Sequence, residues 1–126
     1  DAMIIAPPYL WKLYDADWRV FSERSTVVTW SELLEIAFVP DKYPDWVKRF
    51  DDMLPGIRQQ FHGHFTENQE RIRRAYLSLT AEDIRRLARS YHASYFVTEK
   101  IRDYPFPLLY ENSIFRVYDV RVLQDQ

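Results

Sequence analysis

The sequence predicts an α/β fold: a mixed, mainly parallel sheet of about five strands with helices packed on it and a C-terminal β-hairpin. Three observations predict it. Two short apolar or β-branched runs, at 3–6 and 25–30, flank a stretch long enough for a helical crossover, which makes them a parallel pair. A middle segment follows in which apolar residues recur at helical spacing. The chain then closes with a third strand and two runs separated by Asn112-Ser113.

Each element has a local reason. Met3, Ile4, Ile5 and Ala6 are continuously apolar and are stopped by Pro7-Pro8, which suits a buried strand. Pro8 can open a helix through Tyr9, Leu10, Leu13 and Tyr14. Val27, Val28, Thr29 and Trp30 are β-branched or aromatic and extend the second strand. Ser31 can cap a helix carrying Leu33, Leu34 and Phe38, which Pro40 ends. Pro44 lies near the start of another, with Trp46, Val47, Phe50, Met53 and Leu54 on its apolar face and Pro55-Gly56 at its end. Residues 57–65 are irregular. A further helix aligns Ile72, Ala75, Tyr76 and Leu79. The next has Thr80 as N-cap, Glu82 and Asp83 at its positive end, and Ile84, Leu87, Ala88 and Tyr91 facing inward. Residues 94–99 read as the third strand, 108–110 and 114–122 as the hairpin, with Asn112 suited to a left-handed turn.

The 126 residues fit a single domain, spanning 1–126. A 47% hydrophobic and 17% aromatic composition supplies a core and sets the chain apart from disordered classes. A net charge of −2 argues against a nucleic-acid partner, although Arg far outnumbers Lys. Without cysteine there is neither a disulfide nor a thiolate metal site. No run reaches the ~18 apolar residues of a membrane span, and no signal-peptide pattern is present. Asp1-Ala2-Met3 runs straight into a core strand, so the domain is expected to be cut from a longer protein.

Few residues point to chemistry. The two glycines, Gly56 and Gly63, follow no strand, so phosphate-cradling nucleotide loops are missing and no cofactor is implied. No serine occupies a nucleophile elbow. His62-Gly63-His64 could place two imidazoles on a metal, but flanking Phe61 and Phe65 favour packing. His92, just past a helix, is read as meeting that helix's terminal carbonyls. Arg71, Arg73, Arg74, Arg85, Arg86 and Arg89 form either an anion-binding face or two solvated faces balanced by Glu67, Glu70 and Glu82; the second reading is preferred. A small-molecule pocket, if built, belongs at the C-terminal ends of the parallel strands. Trp30, Ser31, Glu99 and Lys100 are its candidate ligand-binding residues, Trp30 by stacking and Glu99 and Lys100 by orienting a polar group. The competing account makes Trp30 a core or lid residue and the charges ordinary surface.

The whole chain resembles the soluble C-terminal α/β domains that follow the last span of bacterial polytopic membrane proteins of the GT-C glycosyltransferase-like type. The resemblance is carried by the entry Asp1-Ala2-Met3-Ile4-Ile5-Ala6-Pro7-Pro8 and by Arg19-Val20-Phe21-Ser22-Glu23-Arg24 leading to Val27-Val28-Thr29-Trp30. It is also carried by Ala93-Ser94-Tyr95-Phe96-Val97 and by the segment Tyr110-Glu111-Asn112-Ser113-Ile114-Phe115-Arg116-Val117-Tyr118. Ser113 stands where that group usually has glycine. Its catalytic acids lie in membrane-region loops, so no catalytic residue carries over. The resemblance implies a non-catalytic accessory domain on the extracytoplasmic side, whose partner is the membrane region of its own parent chain. Transmembrane helices are accordingly expected upstream of Asp1. The 21 aromatics, four of them Trp, fit contact with a membrane interface, or else simply fill the core. The alternative function is binding of a small ligand, a sugar, lipid-linked or nucleotide-like molecule, at the strand ends.

Overall fold

This computed structural model describes residues 3–9, 25–28 and 40–125. Five strands pair in the order β2-β1-β3-β5-β4: β1 (Met3–Ile5), β2 (Ser25–Thr26), β3 (Ala93–Glu99), β4 (Leu108–Glu111) and β5 (Phe115–Asp119). Four of them have three or more residues, while β2 contributes only a two-residue ladder at the edge. The α/β class and the mixed sheet agree with the sequence reading. The expectation of a mainly parallel sheet needs correction. β1 pairs in parallel with β2 and β3, but β5 is antiparallel to both β3 and β4. The hairpin folds back so that its second strand, not its first, lies against β3, and the pairings divide evenly.

Three helices accompany the sheet: α1 (Tyr43–Met53), α2 (Phe65–Leu77) and α3 (Ala81–Tyr91). In α1, Trp46, Phe50 and Met53 recur at helical spacing and are buried, with the Trp46 and Phe50 rings stacked at 5.0 Å. Pro55 forces the preceding Leu54 out of helical conformation, and Gly56 takes the positive φ of +83° that the turn needs. α2 buries Ile72 and Tyr76, and also Gln69. At the start of α3 a full capping box forms. The Asp83 amide donates to Thr80 Oγ1 at 3.1 Å, and the Thr80 amide donates to Asp83 Oδ2 at 2.9 Å. His92 ends α3 in the left-handed region, φ 52°, and its backbone N–H donates to the Ala88 carbonyl.

Alternation along the strands loads both faces of the sheet with apolar residues. Ile5, Phe96 and Tyr118 join the main core with α1, α2 and α3. Ile4, Ala6, Val97 and Phe115 form a second cluster. Phe96 is the hub of an aromatic group, with Tyr104 edge-on at 4.9 Å and Tyr118 stacked at 5.9 Å. Many of the aromatics are therefore core-filling.

Several local expectations fail. The last strand ends at Asp119, and Arg121–Asp125 form a 3₁₀ turn instead of continuing it. The Asp119 carboxylate causes this by accepting the Arg121 amide at 2.9 Å. Asn112 is not left-handed either, since His92 is the sole non-glycine residue with positive φ among the described residues. Its side-chain oxygen instead accepts the amides of Ile114 and Phe115 at 2.8 and 2.7 Å, building the turn from an Asx motif. Pro8 and Tyr9, where a helix is expected to open, are not helical, and β2 stops at Thr26 without taking in Val27 and Val28. The rest of that helix at 10–14, the helix at 31–38, the strand residues 29–30 and the Arg19–Arg24 segment lie outside the described residues.

The capping box gives the first prediction. Thr80→Ala should lower the unfolding free energy by about 1 kcal/mol, read from chemical denaturation. Unchanged stability would mean that the box contributes nothing.

Candidate functional site

The C-terminal ends of β1 and β3 are where the sequence places a pocket, and a buried polar cluster occupies that end. Glu99 is the last residue of β3 and is 6% exposed. Its carboxylate is gripped bidentately by Arg73 of α2, Nε to Oε2 at 2.9 Å and Nη2 to Oε1 at 3.0 Å. Tyr9, just beyond Pro7-Pro8, donates its hydroxyl to the same Oε2. Glu70 stands 3.4 Å from Arg73 on the opposite side of the guanidinium. One turn along α2, Tyr76 donates to the Val97 carbonyl at 2.5 Å and lies 3.4 Å from the Ile5 carbonyl. The Tyr9 and Tyr76 rings meet edge-on at 6.1 Å.

The electrostatics follow from this geometry. Burial, with the Glu99 carboxylate beside it, pushes the Tyr9 phenol far above the ordinary tyrosine range, so it stays a proton donor. The Glu99 hydrogen bonds hold Arg73 protonated still more firmly than a free arginine. Burial alone is the main reason that Tyr76 is raised. Glu99 Oε2 thus receives two hydrogen bonds and Oε1 one, all from inside the protein. A carboxylate engaged in this way closes the end of the sheet, and its charge is answered by Arg73 rather than offered to a ligand.

The sequence candidates separate. Lys100, next along the chain, places Nζ 3.0 Å from Glu111 Oε1, and its amide donates to the Ile114 carbonyl at 2.7 Å. It joins the end of β3 to the hairpin, while Glu99 turns to α2. Trp30 and Ser31 lie outside the described residues. Of the partners that define the cluster, Tyr9 is missing from the sequence candidates, and Arg73 appears among them only in the arginine set of the two helices, not at the strand ends. A signal exists for Arg73: it lies three residues before Tyr76, beside the apolar stripe of α2.

His62, Arg71, Arg85 and Arg89 among the other candidates also find partners. The His62 ring Nε2 stands 3.1 Å from Arg71 Nη2, and the His62 amide donates to Asn68 Oδ1 at 3.1 Å. Among the described residues no group of three or more His, Asp or Glu side chains could hold a metal ion. Arg85 and Arg89 lie 3.4 and 4.0 Å from Glu82. Comparison with family models, curated proteins and solved structures finds no match to this chain.

Two predictions follow from these contacts. Tyr9→Phe removes one donor from a buried carboxylate and should cost about 1–3 kcal/mol in unfolding free energy; an unchanged midpoint in urea would contradict it. Asp52, Glu111 and Asp119 are held below the ordinary carboxylate range, by hydrogen bonds from Tyr91, Lys100 and Arg121 respectively. A lowered folded pKa gives stability that is complete above the unfolded value near ~4 and is lost as pH falls through the folded one. Urea midpoints should therefore drop below about pH 4, and Asp52→Asn should lessen the drop. Equal acid sensitivity in that variant would contradict the assignment.

Proposed function

We propose that this chain is a non-catalytic accessory domain of a multi-span bacterial membrane protein of the GT-C glycosyltransferase-like type. It acts by contact with the membrane region of its own parent chain, on the extracytoplasmic side. One observation carries the contact role. The sheet ends in an edge strand, β4, whose apolar side chains are open: Leu108, Leu109 and Tyr110 are 47%, 51% and 57% exposed, with Ile114 nearby in sequence at 43%. Natural edges are usually protected by charge, and an apolar edge of this kind marks a surface that another chain segment covers.

The alternative, a polar ligand at the strand ends, has less support. The charges of Glu99 and Lys100 are both answered within the protein. Among the described residues no helix is long and apolar enough to cross a membrane, and the proposal puts the spans upstream of Asp1.

The test uses the absence of cysteine from this sequence. In the full parent chain, with any other cysteines removed, Leu109→Cys should form a disulfide with cysteines introduced at the extracytoplasmic ends of the spans. Arg86→Cys, on α3, should not. Equal cross-linking from both positions would overturn the proposal. So would a parent chain without any stretch of ~20 apolar residues.

A further inference from the structure

The arginines of α2 and α3 do not all have the same surroundings. Arg73 is committed to Glu99, and Arg85 and Arg89 to Glu82. Arg58, in the turn at Arg58–Gln60, is held bidentately by Asp51 at 2.7 and 2.8 Å. Arg71 and Arg74 have no carboxylate partner among the described residues. Both line one depression of about 380 Å³, together with Ile57, Gln60, Ala75 and Ser78. Among the described residues no acidic one belongs to that lining.

The helix sets this arrangement. Arg74, Ala75 and the C-cap residue Ser78 lie three, four and seven residues after Arg71, which puts them on a single face of α2 and its end. Gly63, at φ +77°, turns the chain between the Arg58–Gln60 turn and α2, so Ile57 and Gln60 form the opposite wall. Arg71 is fixed without a carboxylate. Its Nη1 donates to the His62 carbonyl at 3.0 Å and to Asn68 Oδ1 at 2.7 Å, and Nη2 meets His62 Nε2 at 3.1 Å. The guanidinium is therefore oriented without being neutralised, and Nε–H and one Nη2 proton are left for a ligand. Arg74 is exposed. Ile57 and Ala75 are the apolar residues of the lining.

We propose that this depression binds a phosphate monoester, with Arg71 as the pre-oriented clamp and Arg74 as the second cation. Two guanidiniums with free N–H donors match the planar, multi-oxygen face of a phosphoryl group. The volume accommodates that group with a small organic substituent, at the low end of ligand pockets. The carbonyl end of α2 opposes an anion there, but the partial charge of a helix terminus is weaker than two full cations. Ser78 Oγ–H also donates to the Arg74 carbonyl at 2.8 Å, which satisfies one of those end groups. Affinity at the millimolar level or slightly better is expected from so open a site.

The experiment is an amide-resolved NMR titration of the chain with inorganic phosphate and with glycerol 3-phosphate, at ionic strength matched with chloride. Saturable shifts should be confined to residues 57–62 and 71–78, with the ester binding more tightly than the free ion. Arg71→Gln and Arg74→Gln should each weaken binding at least about tenfold, while Arg85→Gln, on α3, should not change it. Shifts spread over every basic residue, or retained in the α2 variants, would overturn the proposal. Sedimentation with phosphatidylcholine vesicles, with and without phosphatidic acid, distinguishes the source of the phosphate. Capture by the acidic vesicles that glycerol 3-phosphate displaces supports a lipid headgroup, and absence of capture supports a soluble ester. Capture that the ester does not displace would place the anion elsewhere and contradict the site.

Discussion

A carboxylate cannot be withdrawn from water without cations or donors to replace its hydration. Glu99 ends β3 in a position where almost none of it reaches solvent, so the chain has to deliver those groups. It does so from two distant segments. Arg73 comes from α2, and Tyr9 from the segment after β1. The requirement fixes how α2 lies across the ends of two neighbouring strands. Tyr76, three residues further along the helix, repeats the link on the Val97 carbonyl, and Ile72 of the same helix packs into the core. Apolar burial alone would permit α2 to slide, since it lacks direction. A bidentate ion pair has a single geometry.

This joint also explains how the other charges are distributed. With Glu99 and Arg73 serving each other, and Lys100 drawn to Glu111, these four side chains retain little polar capacity for a ligand. Two other surfaces remain uncommitted. One is the apolar edge at β4, and the other is the pair of unneutralised guanidiniums on the outer face of α2. Separate surfaces can serve separate partners, so the contact proposed for the sheet edge leaves the proposed phosphate site open.

The fold was largely legible because its signals are local. Thr80 with Asp83, Pro44 near the start of α1 and Pro55-Gly56 at its end all act within a few residues of where they stand. The run Tyr95-Phe96-Val97, aromatic and β-branched, gave the central strand for the same reason. What was not legible depends on distance in the chain. That β5 rather than β4 lies against β3 is settled by packing of Tyr118 on Phe96, which no local pattern encodes. Glu99 could be placed at the end of its strand, and so at the expected site. Its role could not be read, because its partners are 26 and 90 residues away. The Asn112 turn shows a subtler limit: the residue was right and the mechanism differed, a side-chain oxygen substituting for a left-handed backbone.

The central claim is that Glu99 and Arg73 form a structural joint rather than a ligand site. A double-mutant cycle of Arg73→Met and Glu99→Gln, followed by chemical denaturation, tests it most directly. Because Arg73 is about one-third exposed, the coupling should fall between the values for exposed and buried ion pairs, at about 2 kcal/mol. Each single variant should be destabilised, and the double variant should recover part of the loss. A coupling below about 0.5 kcal/mol, with both single variants as stable as the parent, would show that the helix is held without this pair and would contradict the account.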